Sequence, residues 1–233
     1  GTQRATSSVL LFTMTHIYTH FWFWFTAAVL YVILACLGLD EMNVPLGIVL
    51  AFGALFSYAG IYVFRKGYRN GFVLKMLHGT GHLPGLKRCS RRMEEKHGEA
   101  IHNIDAQISQ LRGQNPKVFR KSFLLEFSER ILQSFEVFFI LLSLGVASGT
   151  GLGGHLLLFL HSFLILAFTS LFANILGFIP MQLGTREGGY ALAVTVFGLT
   201  SGIGMAVSIV CRLREIIWDA FGLLLMQIHK SSH

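Results

Sequence analysis

Charged side chains interrupt several apolar stretches of this sequence, and they are the residues best suited to chemistry. An ionisable residue within a membrane segment costs roughly a few kcal/mol, so it normally faces the protein interior and has a partner. Arginines can hold a phosphate through paired hydrogen bonds, and carboxylates can meet a cationic group or carry a proton. A site with both signs suits a phospholipid headgroup better than a simple ion. The predicted substrate-binding residues are Glu129, Arg130, Glu136, Arg186, Glu187, Arg212, Glu215 and Asp219.

The first charged set lies on a helix that the sequence pattern predicts over residues 117–146. Glu126 and Arg130 are an i,i+4 pair in the favourable order. Glu126 and Glu129 would also fit a hydrated position at the cytoplasmic interface, whereas Glu136 is deeper in the helix and fits the interior better. The polar residues share one broad face, with spacings of 3, 1, 3 and 3: Glu126, Glu129, Arg130, Gln133 and Glu136.

A stripe of polar residues runs along the last predicted helix, over residues 201–228. Arg214 lies off this stripe, and we expect it to point elsewhere and either to snorkel or to pair separately. The alternative is a purely structural ion-pair network that locks helices together, because buried ion pairs can specify packing. The stripe has spacings of 4, 3 and 4 and consists of Ser208, Arg212, Glu215 and Asp219.

The segment over residues 177–199 combines glycines, a proline and two charges within an apolar context. This pattern predicts a broken or re-entrant helix pair, which is permitted at membrane depth only where protein or a wet cavity surrounds it. The N-terminus of a half-helix attracts anionic groups. A solvated loop that carries the Arg186-Glu187 pair is the alternative. The predicted hinge residues are Pro180, Gly184, Gly188 and Gly189.

Composition identifies the kind of protein in which these charges are placed. The 233 residues are 53% hydrophobic and only 13% charged, against about 25% charged in soluble domains. These values exclude an ordinary cytosolic enzyme, a disordered chain and a nucleic-acid binder. The net charge of +7 fits the Lys and Arg that membrane proteins collect in cytoplasmic loops.

The predicted fold class is all-α: a polytopic transmembrane helical bundle with a re-entrant helix pair and a cytoplasmic amphipathic helix. Two membrane helices occupy residues 1–64, and further membrane helices occupy 117–233. The segment between them, 65–116, is basic, and an amphipathic helix over about 88–112 acts either as a strap or as a lipid sensor. The positive-inside rule places the basic residues 65–121 in the cytoplasm and the chain in the cell membrane.

Metal and cofactor sites are not expected. His16 and His20 are spaced i,i+4 and are geometrically able to share a metal, but no third ligand lies near them in the sequence. No Cys-x-x-Cys pair occurs among the three cysteines, so neither a zinc site nor a disulfide framework is predicted. Hydrogen-bonded packing is the preferred interpretation of the two histidines.

The C-terminal part of the chain resembles the lysylphosphatidylglycerol synthase transmembrane family, also called flippase-like membrane proteins. The matching pattern is a proline, a glycine turn before an Arg-Glu pair, a later glycine and an arginine in the next helix. The resemblance implies an all-helical polytopic domain that moves an aminoacylated or otherwise modified phospholipid between leaflets. The residues that carry it are Pro180, Gly184, Arg186, Glu187, Gly198 and Arg212.

The same resemblance sets expectations about the rest of the protein. The family's first membrane helices are expected upstream of residue 1. Aminoacyl transfer is not expected from this chain, because the polar block is short and lacks a β pattern. The expected partners are a phospholipid or another phosphate-bearing lipid and the membrane, without nucleic acid; a homo-oligomer is compatible with the sequence.

Three functions remain open on the sequence alone. The first is a lipid flippase-like transport domain, with Arg186 and Arg212 on the phosphate and Glu187, Glu215 and Glu136 as headgroup or coupling acids. The second is an intramembrane enzyme, such as a transferase, that acts on a lipid or polyprenyl phosphate. The third is a structural scaffold that is held by a closed, dry ion-pair network.

Overall fold

The computed structural model describes residues 2–39, 44–70, 116–146, 151–176 and 184–231. Within these ranges all regular elements are α-helices, which confirms the all-α prediction. In chain order they are α1 (Thr2–Cys36), α2 (Val44–Asn70), α3 (Pro116–Ser143), α4 (Leu152–Ile175), α5 (Thr185–Val196) and α6 (Ser201–Ser231).

Two of these helices are long and apolar enough to cross a bilayer. The span in α1 is Phe12–Cys36, with a mean hydropathy of 1.6, and the span Leu152–Ile175 is the whole of α4, with 2.2. At 1.5 Å per residue, the 24 residues of α4 reach about 36 Å, which exceeds a hydrocarbon thickness of about 30 Å. The described residues therefore contain two candidate crossings of the several that a polytopic fold requires.

The two unusual elements of the prediction lie wholly or partly outside the described residues. The amphipathic helix over 88–112 falls outside them entirely. The re-entrant motif is described only from residue 184 onward, where α5 has 12 residues. Its length of about 18 Å is shorter than a hydrocarbon crossing. The re-entrant helix pair therefore stays a prediction.

Glycines end two of the long helices. At the end of α1, Gly38 has a φ of 68°, and the backbone N–H of Leu39 donates to the carbonyl of Leu34 at 3.1 Å. At the end of α3, Gly145 has a φ of 77°, and Val146 donates to Leu141 at 3.0 Å. A left-handed residue after the helix lets the chain satisfy its last carbonyls, and glycine adopts this conformation without a steric penalty.

The chain divides into two compact units, and the first contains described residues 2–26, 51–70 and 116–129. Aromatic contacts join its helices: Phe21 of α1 meets Phe56 of α2 with ring centroids 5.6 Å apart. A Cβ on Gly60 would lie 2.6 Å from the Phe21 ring, so glycine is needed for this close approach. Tyr18 packs against Phe123 of α3 at 5.5 Å.

The second unit contains the remaining described residues, and α4 supplies much of its core. Ser162 to Thr169 are buried without interruption, so α4 is enclosed on all sides there. Helix α5 contacts both α4 and α6. A Cβ on Gly189 would lie 3.1 Å from Thr169 of α4, and one on Gly204 of α6 would lie 2.5 Å from the Tyr190 carbonyl. Small residues therefore let α5 pack closely against both neighbours.

Candidate functional site

The site begins at the N-terminus of α5, where local sequence explains the geometry. Gly184 precedes the helix with a φ of 82°, a left-handed conformation that favours glycine. Its backbone N–H donates to Glu187 Oε2 at 2.8 Å. A carboxylate at this position satisfies an unpaired N–H and interacts favourably with the helix dipole. The Arg186-Glu187 pair is therefore fixed in the first turn of α5.

Arg186 joins α5 to α6. Its Nη1 donates to both carboxylate oxygens of Glu215, each at 2.8 Å. Arg186 is 25% exposed and Glu215 is 38% exposed, so this charge-assisted pair is only partly shielded from its surroundings. A guanidinium can form charge-assisted hydrogen bonds with a carboxylate or with a phosphate.

A second ion pair links the same two helices, but here the arginine belongs to α6 and the glutamate to α5. Arg212 Nε of α6 contacts Glu187 Oε1 of α5. Glu187 thus uses one oxygen for Arg212 and the other for the Gly184 N–H. Each helix contributes one arginine and one glutamate to the two pairs, which hold the start of α5 against α6.

Arg214 extends these pairs to α3. Its Nε lies 2.6 Å from Glu136 Oε1, and its Nη2 lies 3.7 Å from Glu215 Oε1. The pair with Glu136 agrees with the expectation that Arg214 pairs separately from the stripe, whereas the contact with Glu215 connects it to the stripe and was not expected. We call the connected set the arginine–glutamate network: Glu136, Arg186, Glu187, Arg212, Arg214 and Glu215.

The network is balanced in charge, with three arginines and three glutamates. Its side chains are between 21% and 38% exposed, so they are neither fully buried nor fully solvated. The predicted substrate-binding acids Glu129 and Asp219 are not members of this network, and both are exposed.

Two buried residues close to the network were not predicted from the sequence. Tyr190 is 1% exposed and Cys211 is 3% exposed, and the hydroxyl lies 4.0 Å from the thiol. The only available signals were that Tyr190 follows Arg186 by one helical turn and that Cys211 precedes Arg212. Ser208, one turn before Arg212, is 1% exposed, and its Oγ has no hydrogen-bond partner among the described residues.

The other predicted residues are not members of the arginine–glutamate network as defined above. Arg130 of the second unit is half-buried, and its Nη1 donates to Gln133 Oε1 at 3.2 Å. Asp219 lies one turn beyond Glu215 on α6. Of the predicted hinge residues, Pro180 lies outside the described ranges, and a Cβ on Gly188 would meet nothing within 4 Å.

The first unit holds a separate titratable pair. His16 Nδ1 of α1 lies 3.0 Å from Glu126 Oε2 of α3. His20 Nδ1 lies 3.0 Å from the carbonyl oxygen of His16. Among the residues that the structure describes, no group of three or more His, Cys, Asp or Glu side chains is placed to hold a metal ion.

Comparison with known proteins gives a family match. The family profile described as "Lysylphosphatidylglycerol synthase TM region" matches residues 1–219. This range includes both candidate membrane spans and every residue of the arginine–glutamate network. No curated protein and no solved structure matches the chain.

Proposed function

This chain belongs to the lysylphosphatidylglycerol synthase transmembrane-region family, and on that premise we propose that it moves a phosphate-bearing lipid between the leaflets of the membrane. The family match over residues 1–219 shows that the chain is a membrane domain of this type. The proposed substrate is an aminoacylated or otherwise modified phospholipid, and the proposed contact is the arginine–glutamate network.

The observation that carries the proposal is that the glutamate of each crossing ion pair has a second partner besides its arginine. If a phosphate replaced Glu215 on Arg186, Glu215 would keep Arg214, 3.7 Å away. If a phosphate replaced Glu187 on Arg212, Glu187 would keep the Gly184 N–H. Such exchange avoids much of the penalty of a lone charge in a low-dielectric setting.

Partial exposure makes this exchange physically reasonable. Arg186 and Arg212 each retain 25% of their side-chain exposure, so an incoming headgroup would not have to open a sealed core. Arginine binds phosphate through the same fork of N–H groups that it presents to carboxylate. We assign Arg186 and Arg212 to the phosphate, with Glu136, Glu187 and Glu215 as the groups that it displaces or that meet a cationic headgroup.

The same exchange would couple binding to helix movement. The crossing pairs hold the start of α5 against α6, and glycines with positive φ flank α5 at both ends, Gly184 at 82° and Gly198 at 74°. A phosphate that takes over the arginines would weaken the α5–α6 connection. Movement of α5 would then expose the bound headgroup to the other side, in the manner of broken helices in transporters.

Lipid transfer in reconstituted vesicles tests the proposal. The probes are NBD-labelled phosphatidylglycerol and, as a phosphate-free lipid, NBD-labelled glucosylceramide, with dithionite reporting the leaflet of each. We expect Arg186→Ala and Arg212→Ala each to slow phosphatidylglycerol transfer about tenfold or more, because each removes a charge-assisted contact. The matched control is Arg120→Ala, at an exposed arginine of α3.

The transfer rates of the two arginine variants relative to wild type decide whether the site is assigned correctly. Equal transfer by wild type, Arg186→Ala and Arg212→Ala, with all three proteins folded, would contradict the assignment of the site. Equal transfer of both lipid probes by the wild type would contradict phosphate recognition.

A further inference from the structure

Ser208 of α6 carries a buried hydroxyl that has no role in the ion pairs described above. The residue is 1% exposed, and its Oγ has no hydrogen-bond partner among the residues that the structure describes. A buried hydroxyl without a partner lowers stability, so such a group calls for an explanation. Two other buried serines, Ser134 and Ser162, avoid this cost by donating to the carbonyl four residues earlier, at 2.9 and 2.8 Å. Ser208 therefore holds a donor that the described residues do not use.

Contacts on either side of Ser208 locate its hydroxyl at the interface between α6 and α5. A Cβ on Gly204, one turn before Ser208, would lie 2.5 Å from the Tyr190 carbonyl oxygen of α5. Arg212, one turn after Ser208, contacts Glu187 of α5. Because residues four apart lie on the same face of a helix, Ser208 lies between these two contacts and faces the first two turns of α5.

Ser208 and Arg212 are placed to share one ligand. Residues four apart on a helix have Cβ atoms about 5–6 Å from each other, and long helical side chains lean towards the N-terminal turn, which for Arg212 is the turn of Ser208. Glu187 directs one carboxylate oxygen to Arg212 and the other to the Gly184 N–H. A phosphate has no such commitment, so its oxygens can accept from the guanidinium and from the hydroxyl together.

We propose that Ser208 is a further phosphate-binding residue, whose hydroxyl donates to a phosphate oxygen once the headgroup has replaced Glu187 on Arg212. This inference rests on the proposed function, because the new contact forms only in the state that follows the exchange. The hydroxyl lowers stability before the exchange and gains a charged acceptor after it. Ser208 therefore favours the lipid-bound state over the empty state.

Lipid-dependent thermal unfolding in detergent tests this contact. The probe is dihexanoyl phosphatidylglycerol, a water-soluble phospholipid, and the rise in Tm with its concentration gives an apparent Kd. We expect Ser208→Ala to weaken this Kd at least about fivefold, because it removes a hydrogen bond to a charged group. Without lipid, we expect the Tm of Ser208→Ala to rise by roughly 2–4 °C, because an unpartnered buried hydroxyl has been removed.

Ser57 of α2 provides the matched control. It is 0% exposed, and its Oγ likewise has no hydrogen-bond partner among the described residues. It belongs to the first unit, and the residues four positions away on its helix, Gly53 and Ile61, are uncharged. Ser57→Ala should therefore raise the Tm in the same way and leave the apparent Kd unchanged. Equal losses of affinity in Ser57→Ala and Ser208→Ala would overturn the proposal, because the loss would then not be specific to this site.

Arg212→Ala separates this inference from the proposed function. If wild type shows no lipid-dependent rise in Tm, or if Arg212→Ala binds the probe as tightly as wild type, the proposed phosphate site fails and the Ser208 contact fails with it. If Arg212→Ala weakens binding and Ser208→Ala keeps the wild-type Kd, only the Ser208 contact is overturned. A lipid-free Tm of Ser208→Ala below that of wild type would overturn it as well, since the hydroxyl would then stabilise the empty state.

Discussion

At the residue scale, Glu187 has two roles, whereas the sequence pattern indicated only that it is a charged residue in an apolar segment. It caps α5 through the Gly184 N–H and pairs with Arg212 of α6. The cap concerns stability, and the ion pair concerns the proposed phosphate exchange. Substitutions that remove one role and keep the other can therefore separate helix formation from transport.

We expect Glu187→Gln and Glu187→Ala to differ in stability but to agree in transfer. Glutamine keeps an oxygen that accepts from Gly184, whereas alanine removes the cap at about 1 kcal/mol, or roughly 2–4 °C in Tm. Both remove the carboxylate that faces Arg212, so both should slow transfer of labelled phosphatidylglycerol. Wild-type transfer by Glu187→Gln would show that the Glu187 charge is not needed for transfer. Equal Tm values for the two variants would show that the cap does not stabilise the protein.

The sequence predicted most of the network but not its connections. Arg186 and Arg212 were recognisable because charge is costly in an apolar segment. The contact of Arg214 with Glu215 was not predicted, because helical periodicity describes where a Cα lies, and a long guanidinium side chain reaches beyond its own helical face. Likewise, no local pattern could link Glu126 to His16, which is 110 residues away.

At the element scale, the approach of α6 to α5 depends on a glycine. A Cβ on Gly204 would lie 2.5 Å from the Tyr190 carbonyl oxygen and 2.7 Å from the Ala191 Cα. Both are backbone atoms, so a side chain at this position would have to push the helices apart. The separation of α5 from α6 in turn sets the reach of Arg186 to Glu215.

We therefore expect Gly204→Ala to destabilise the protein by about 1–3 kcal/mol and to slow lipid transfer. The matched control is Gly202→Ala on the same helix, where a Cβ would meet nothing within 4 Å and alanine favours the helix. Thermal unfolding in detergent measures both variants. If Gly204→Ala and Gly202→Ala have the same Tm, the close packing of α5 on α6 is not needed for stability.

Helix positions were largely predictable, and the differences have physical causes. The second helix was expected to end near residue 64, but α2 continues to Asn70, because lysine and arginine are good helix formers and do not end a helix. The first helix, α1, runs without a break from Thr2 to Cys36, although its 35 residues exceed what one crossing needs. Neither stretch contains an internal proline that would interrupt it.

At the scale of the whole molecule, the predicted orientation places the basic segment 65–121 in the cytoplasm. The segment contains 13 of the 19 Lys and Arg residues, which is the kind of bias that sets topology. The acidic residues Asp40 and Glu41 are then expected on the outer side. This orientation would make the basic segment available to anionic lipids of the inner leaflet.

Cysteine labelling tests the orientation. The chain has three cysteines, so replacing Cys36 and Cys211 by serine leaves Cys89 as the single thiol, within the basic segment. We expect an impermeant maleimide to label it only after the membrane is permeabilised. In a second chain without native cysteines, Asp40→Cys should be labelled in intact cells. The reverse pattern would invert the topology.

The central claim is that Arg186 binds phosphate by exchange with Glu215 and does not serve only as a structural ion pair. The charge-swapped protein Arg186→Glu with Glu215→Arg tests it most directly, in the phosphatidylglycerol transfer assay with Tm measured alongside. We predict that the swap recovers much of the stability lost in either single variant while transfer stays at least about tenfold below wild type. Restoration of both stability and wild-type transfer would contradict the account, because any ion pair at this position would then suffice.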